Sequence, residues 1–292
     1  MQTHAHKRAS AIAAVVATAS LVTAGAGVLA PAEAASSSLD YTCAVPVLGD
    51  VTFGVVNDSN APATMYVGQS KAITLTSKVT IPASMANALY ALGGRTADGT
   101  AVAKGGIGGK ATTSTLKVPT TDIPQDRDLT AVATGSGGTY KATRAGRITL
   151  TAGDFTSTLN VYDGSGAPMT GLVNSPVTVQ CTAPAGVNTA FDTITVKKDT
   201  TKTKVAPKAK GKKVTTKVTV KTAHGSTAKG KVTVLVKKGK KTVEKKKATL
   251  KKGKATVKLP KKLKKGKYAV TVKYAGNAGL KGSTGKHTVK VK

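Results

Sequence analysis

Residues 267–274, KYAVTVKY, place Tyr268, Val270, Val272 and Tyr274 on one parity and Lys267 and Lys273 on the other. Successive side chains of a strand point to opposite faces, so this octapeptide reads as a strand with one apolar and one charged face. The competing reading is a disordered basic tail, because the enclosing stretch 247–270 has lysine at ten of 24 positions and no acid. Neighbouring runs decide between them. In VTTKVTVK (214–221), Val214, Val218 and Val220 oppose Lys217 and Lys221; in KVTVLVK (231–237), Val232, Val234 and Val236 oppose Lys231 and Lys237. In KATVKL (254–259), Ala255, Val257 and Leu259 oppose Lys254 and Lys258; in KHTVKVK (286–292), Val289 and Val291 oppose Lys286, Lys290 and Lys292. Five runs keep apolar in and lysine out, with Gly or Lys-Gly between most of them. Such a pattern predicts a small antiparallel β-sandwich over 214–292 with a lysine exterior.

Charge divides the 292-residue chain, whose formal net charge is +32. Residues 36–196 carry ten basic and ten acidic residues, whereas residues 200–292 carry 31 lysines, no arginine and one acid, Glu244. Between them KKDTTKTKVAPKAKGKK (197–213), polar and holding Pro207 and Gly211, has the composition of a linker.

The N-terminus reads as a secretory leader over 1–34. Lys7 and Arg8 precede the apolar run AIAAVVATASLVTAGAGVLA, which is followed by Pro31 and the A-x-A site Ala32-Glu33-Ala34. Its many Ala, Gly, Thr and Ser make the run weakly hydrophobic for a membrane anchor. No lipid-attachment cysteine follows, and the chain closes on VKVK rather than a sorting tail. The expectation is an exported chain without stable membrane insertion after cleavage, extracellular or wall-associated. Cys43 and Cys181 are the two cysteines, and an oxidising compartment favours pairing them as a disulfide.

The neutral half is also β in pattern. TMYVGQSKAITLTSKVTI, DLTAVATG, GRITLTAGDFTSTLNVYDG and SPVTVQC alternate or are β-branched between Gly, Asp and Asn. PASMANALYALGG (82–94) departs from this, with Met85, Leu89 and Leu92 at spacings of four and three before Gly93-Gly94, and predicts one short helix.

Two resemblances follow from these residues. GKVTVLVKKGKK and GKYAVTVKYAGNAGLKGSTG, with Gly266, Tyr268, Tyr274, Gly276 and Ser283 at the positions of the ending G-x-Y-x-v-x-v-x-Y-x-G-D and a serine, resemble the bacterial immunoglobulin-like repeats of exported surface proteins. Asn277 stands where that family usually has Asp, and Leu280 where an aromatic is common. The resemblance covers about 200–292; it implies the fold and leaves function open, since such modules act as spacers, stalks and binding domains. DYTCAVPVLGD, the short helix, AGRITLTAGDFTSTLNVYDGSG and VTVQCTAP together resemble an extracellular actinobacterial domain of uncharacterised function over about 39–183. That resemblance implies a β-sandwich tied by Cys43 and Cys181 and supplies no activity. The expected fold is all-β: two β-sandwich domains, the C-terminal one immunoglobulin-like, with one short helix in the N-terminal domain (36–196).

Catalytic chemistry finds little support. His224, in KTAHGST, and His287, on the apolar parity of the last run, have no carboxylate or cysteine at metal-ligand spacing. Asp122, Asp126 and Asp128 lack the bidentate Glu of a calcium loop and read as a solvated acidic loop. Asp154 and Asp163 read as turn residues beside a strand. GLKGSTGKHT (279–288) fails a phosphate-loop pattern at Leu280 and His287, and Gly164-Ser165-Gly166 lacks a full nucleophile elbow. No enzyme activity, cofactor or metal is expected, and the residues identify no small-molecule substrate.

The lysines point instead to electrostatic attachment. Lysine is a hydrated point charge without arginine's bidentate fork, so 31 lysines and no arginine suit loose, sequence-blind binding. With Tyr268 and Tyr274 turned inward, stacking platforms for single-stranded nucleic acid are missing. The expected partners are anionic cell-wall polymers, contacted by Lys217, Lys221, Lys231, Lys237, Lys254, Lys258, Lys267, Lys273, Lys286 and Lys290. Extracellular DNA and other polyanions would bind non-specifically by the same physics. A third reading gives the lysines only solubility and protection against strand pairing. Like charges on one small domain repel, and salt screens them. The melting temperature of the basic domain is therefore expected to rise between low and physiological salt in a calorimetric series; a flat or falling dependence counts against a folded lysine exterior.

Overall fold

The computed structural model describes residues 38–259 and 262–292; the leader expected over 1–34 lies outside them. Among the described residues no helix is long and apolar enough to cross a membrane. The N-terminal domain runs β1 (Leu39–Val45), β2 (Gly49–Ser59), β3 (Thr64–Tyr66), β4 (Ser70–Ile81), α1 (Ala83–Ala91), β5 (Thr96–Ile107), β6 (Lys110–Asp122), β7 (Leu129–Lys141), β8 (Gly146–Tyr162), β9 (Val177–Thr182) and β10 (Ala190–Lys197). Thr, Val and Ile dominate these strands, and residues such as Leu116, Val118, Ile148 and Leu150 bury one parity.

All ten strands form one sheet, in the order β3-β10-β8-β5-β6-β7-β4-β2-β1-β9, and β9 also pairs with β8. Eight strands therefore close into a flattened barrel, with β10 and β3 continuing from β8. The two layers of the expected sandwich are one sheet folded back on itself. β8 makes this possible. One edge of this 17-residue strand pairs with β5; the other is shared, Gly146–Thr151 going to β10 and Phe155–Leu159 to β9. Asp154 sits where the partner changes and accepts a hydrogen bond from the Ala183 N–H at 3.1 Å. It is thus a mid-strand residue, not the turn residue its flanking glycine suggests, because the change of partner leaves a backbone donor that needs an acceptor. Cys43 and Cys181 face each other across β1 and β9 and are disulfide-bonded, with Cα atoms 4.0 Å apart.

The short helix forms where expected. Gly93 ends it at φ 104, a conformation that favours glycine. Met85 is buried and Leu89 packs on the same core, while Leu92 is partly exposed. The acidic loop before β7 holds this helix: the Asp128 carboxylate accepts the Ala83 N–H at 2.9 Å, and Asn87 accepts the Asp126 N–H at 2.7 Å. At the other end Arg95 donates to the Tyr90 and Gly94 carbonyls, both at 2.8 Å.

The C-terminal domain comprises β11 (Thr201–Lys210), β12 (Lys213–Thr222), β13 (Gly230–Lys238), β14 (Lys241–Leu250), β15 (Lys254–Lys258), β16 (Gly266–Tyr274) and β17 (Ser283–Val291). A three-stranded sheet, β11-β12-β15, packs on a four-stranded one, β14-β13-β16-β17. Val218, Val234, Val236, Val270, Val272 and Val291 are essentially solvent-free between them. The linker expected over 197–213 is corrected here. Residues 201–210 are an edge strand in full register with β12, Pro207 opposite Thr216, a place where proline's missing N–H costs no ladder bond. Gly285 of β17 packs against the Thr203 carbonyl of β11, leaving no room for a Cβ. His287, read onto the apolar parity, is exposed; its ring bonds the Thr288 carbonyl at 2.9 Å.

Only Lys198, Asp199 and Thr200 separate β10 from β11, and the described residues form one compact unit. Asp199 is fully buried. Its carboxylate accepts the His224 N–H at 3.1 Å and the Ser226 hydroxyl at 2.9 Å and lies 2.8 Å from His224 Nδ1. Its backbone bonds Gly279 and Lys281 at 2.9 and 2.8 Å. From the barrel, Tyr66 stacks on His224 with centroids 4.3 Å apart and planes 3° from parallel. Gly68, at φ 102, lies so close to the His224 carbonyl that an added Cβ would be 2.6 Å from it. Burial pushes the Asp199 carboxyl up, but the hydrogen bonds from His224 and Ser226 and the attraction of His224 outweigh it and hold the group below its usual value. A carboxylate depressed on folding stabilises above its unfolded pKa of about 4, and that contribution disappears as pH falls through the lower folded value.

Two outcomes are expected. Replacing both cysteines by alanine removes a cross-link spanning 138 residues and should cost about 4–5 kcal/mol in denaturant unfolding. Asp199→Asn should cost about 1–3 kcal/mol at pH 7, and its difference from the parent should shrink below pH ~4; a difference independent of pH would rule out a charged Asp199 as the source.

Candidate functional site

All ten lysines expected to contact anions are exposed, and the strand registers divide them between two opposite faces. Lys217, Lys221, Lys254 and Lys258 lie on the three-stranded sheet; Lys231, Lys237, Lys267, Lys273, Lys286 and Lys290 lie on the four-stranded one. Lys204 and Lys208, inside the presumed linker, complete the first face. Its rows read Lys204–Thr219–Lys254, Ala206–Lys217–Thr256 and Lys208–Thr215–Lys258, so Lys217 stands at the centre of four lysines. On the other face Lys247–Thr233–Lys273–Thr284 lies beside Lys245–Leu235–Thr271–Lys286. Lysine is opposite lysine only at strand ends, as at Lys210↔Lys213 and Lys267↔Lys290. Elsewhere lysines meet on diagonals about 7–8 Å apart, close to the Debye length at physiological salt, ~8 Å. Each face is a staggered cationic lattice with threonine between the charges.

β14 is an edge strand with charges on its inward parity: Glu244 opposite Val236 and Lys246 opposite Val234. Lys246 reaches across the seam and its Nζ donates to the Lys258 carbonyl of β15 at 3.0 Å. Charge so placed closes an otherwise free edge.

The barrel contains a different kind of site. Under α1 an apolar cavity of about 270 Å³ is walled by residues including Phe53, Ile81, Met85, Leu89, Leu129 and Val161, with Asn174 and Thr178 its polar side chains. Phe53, Ile81, Leu159 and Val179 also wall a second space of about 100 Å³ further along the barrel. Eight strands suffice for an interior that holds either side chains or one small ligand. The cavity, of about 270 Å³, is partly open to solvent. Its mouth lies far from the C-terminal domain: β4 runs from Ser70, beside the Gly68 contact, to Ile81 in the cavity wall, 12 residues or about 36 Å at ~3.3 Å per residue.

Other polar groups have structural roles. Tyr41 donates to the Gly153 carbonyl at 3.1 Å; burial, with Asp154 nearby, pushes its hydroxyl up to about 12. Asp163 accepts bonds from the Ser165 N–H, the Ser165 hydroxyl and the Ala167 N–H, the local turn expected of it. Sequence spacing missed the Asp199–His224 pair because its members are 25 residues apart. Among the described residues no group of three or more His, Cys, Asp or Glu is placed to hold a metal ion.

No curated protein matches the chain. Among solved structures, a Corynebacterium diphtheriae protein described as membrane anchored overlaps at 14% identity and TM-score 0.41, covering 87% of this chain and 58% of that one. A β-glucuronidase from Ruminococcus gnavus overlaps at 11% identity and TM-score 0.21, covering 87% and 44%, and one from Dictyoglomus thermophilum at 10% and 0.23, covering 87% and 43%. The chain thus spans less than two thirds of each, and at these scores the overlaps carry no inference about activity. Family matches divide the chain where its two domains meet. Residues 200–292 are a bacterial Ig-like domain of group 3, and through residues 40–192, the barrel, the chain belongs to a family of unknown function, DUF6801.

Proposed function

We propose that the chain is an exported, non-catalytic surface protein whose Ig-like domain attaches electrostatically to anionic cell-wall polymer and carries the barrel domain outward. The observation behind this reading is the pair of staggered lysine lattices, on a sandwich whose residues 200–292 hold 31 lysines against one acid. A dense polyanion holds condensed cations, and lysines that neutralise its charges release them, which gives binding a steep salt dependence. The three-residue crossing supports the second half of the reading, since it leaves little freedom between an anchored sandwich and its barrel.

A second reading has its own observation. Lys246 on the seam and Pro207 on the opposite edge strand are devices that block strand pairing, so part of the lysine content serves solubility without any partner.

Co-sedimentation of the mature chain with purified cell walls, across a salt series and with duplex DNA as competitor, separates the two. Attachment predicts salt-reversible binding that resists DNA. Exchanging Lys204, Lys208, Lys217, Lys254 and Lys258 for Gln should lower the log–log salt slope by about 0.7–0.9 for each lysine in contact. Loss of binding to DNA would make the partner nucleic acid, and no binding at low salt would leave the lysines as a solubility device.

A further inference from the structure

We infer that the barrel domain binds a single unbranched acyl or alkyl chain with an uncharged head, inserted under α1 into the apolar interior. The inference is independent of what the lysines bind. Three observations converge on it.

The first is the shape and lining of the space. The larger cavity has room for about nine methylenes if each takes roughly the ~30 Å³ of a liquid water. The smaller space adjoins it across Phe53, Ile81, Leu159 and Val179, so the volume available once these side chains shift extends along the barrel, which suits a chain better than a ring system.

The second is the rim. Val47 and Leu172, 67% and 70% exposed, are the most exposed large hydrophobic side chains among the described residues. Both sit in turns whose neighbours, Leu48 and Val173, line the cavity. Val47 holds φ 71, a conformation that β-branched residues rarely adopt. An apolar side chain kept in solvent by a strained turn at a cavity mouth is costly unless something apolar passes it.

The third is charge. No lysine or arginine is among the described residues lining the larger cavity; Lys104 lines only the inner space, and the loop Asp126-Arg127-Asp128 that fastens the helix brings no net positive charge. A carboxylate or phosphate head beside Asn174 would meet no cation among the residues lining the larger cavity, whereas an alcohol, ester or glycoside head would need none.

Titration calorimetry of the mature chain with n-alkanols from six to twelve carbons tests this. Affinity should rise roughly fourfold per added methylene and level off near the length the cavity holds, and decanoate should bind more weakly than decanol. Ala97→Phe, which fills the cavity from β5, should cut decanol affinity more than tenfold while the melting temperature is kept or raised. Leu172→Asp, at an exposed position that tolerates charge, should weaken binding several-fold without loss of fold. The inference fails if no alkanol binds, if affinity climbs without levelling, or if a folded Ala97→Phe binds as the parent does. Should Ala97→Phe not fold, unchanged affinity in Leu172→Asp overturns it. Flotation with phosphatidylcholine vesicles in 0.5 M salt, without alkanol uptake, would also overturn it by making Val47 and Leu172 a membrane-contact rim.

Discussion

A long strand must satisfy its backbone donors and acceptors along both edges, and in this protein that requirement falls hardest on β8. No single neighbour covers its second edge. β10 takes one half and β9 the other, with Asp154 at the break. The half given to β10 leads through Lys197 into the Ig-like domain, and β3, paired to β10, brings Tyr66 and Val67 to the loops around His224. The half given to β9 closes the barrel beside the Cys43–Cys181 bond and shapes the cavity wall through Leu159 and Val179. Joint and cavity are opposite ends of one solution to a hydrogen-bonding problem.

Local period carried much of the fold into the sequence. KYAVTVKY and its four companions are strands with the expected side in, and the Met85/Leu89 spacing marks α1. Where a second effect interrupts the period, it misleads. β14 has no clean parity because Lys246 and Glu244 stand on its inner side and a bulge lies beside Val236. β11 alternates well, Lys202, Lys204 and Lys208 against Thr203 and Val205, yet proline and high charge make it look like a linker. Barrel closure left no local trace, since nothing in the composition of β8 says that two strands share its edge.

The candidate sites differ in legibility for the same reason. That the lysines would be exposed follows from parity alone. How they are arranged depends on register: a shift by one residue would turn them inward, and a shift by two would set Lys217 opposite lysine on both neighbours. Threonine between charges lets a sheet this basic form while keeping cross-strand repulsion to the diagonals. The cavity and the Asp199–His224 pair are assembled from distant segments, so spacing could not announce them.

Two thin sheets back to back, about 10 Å apart, give the Ig-like domain a property that neither lattice has separately. A flat polyanion can lie against one side only, so the opposite lattice stays uncovered and free for another strand. On the attachment proposed above, the module would be bivalent. Crowded among polymer chains it would then act as a crosslink, and with a second contact favoured by proximity its hold would outlast that of either face alone.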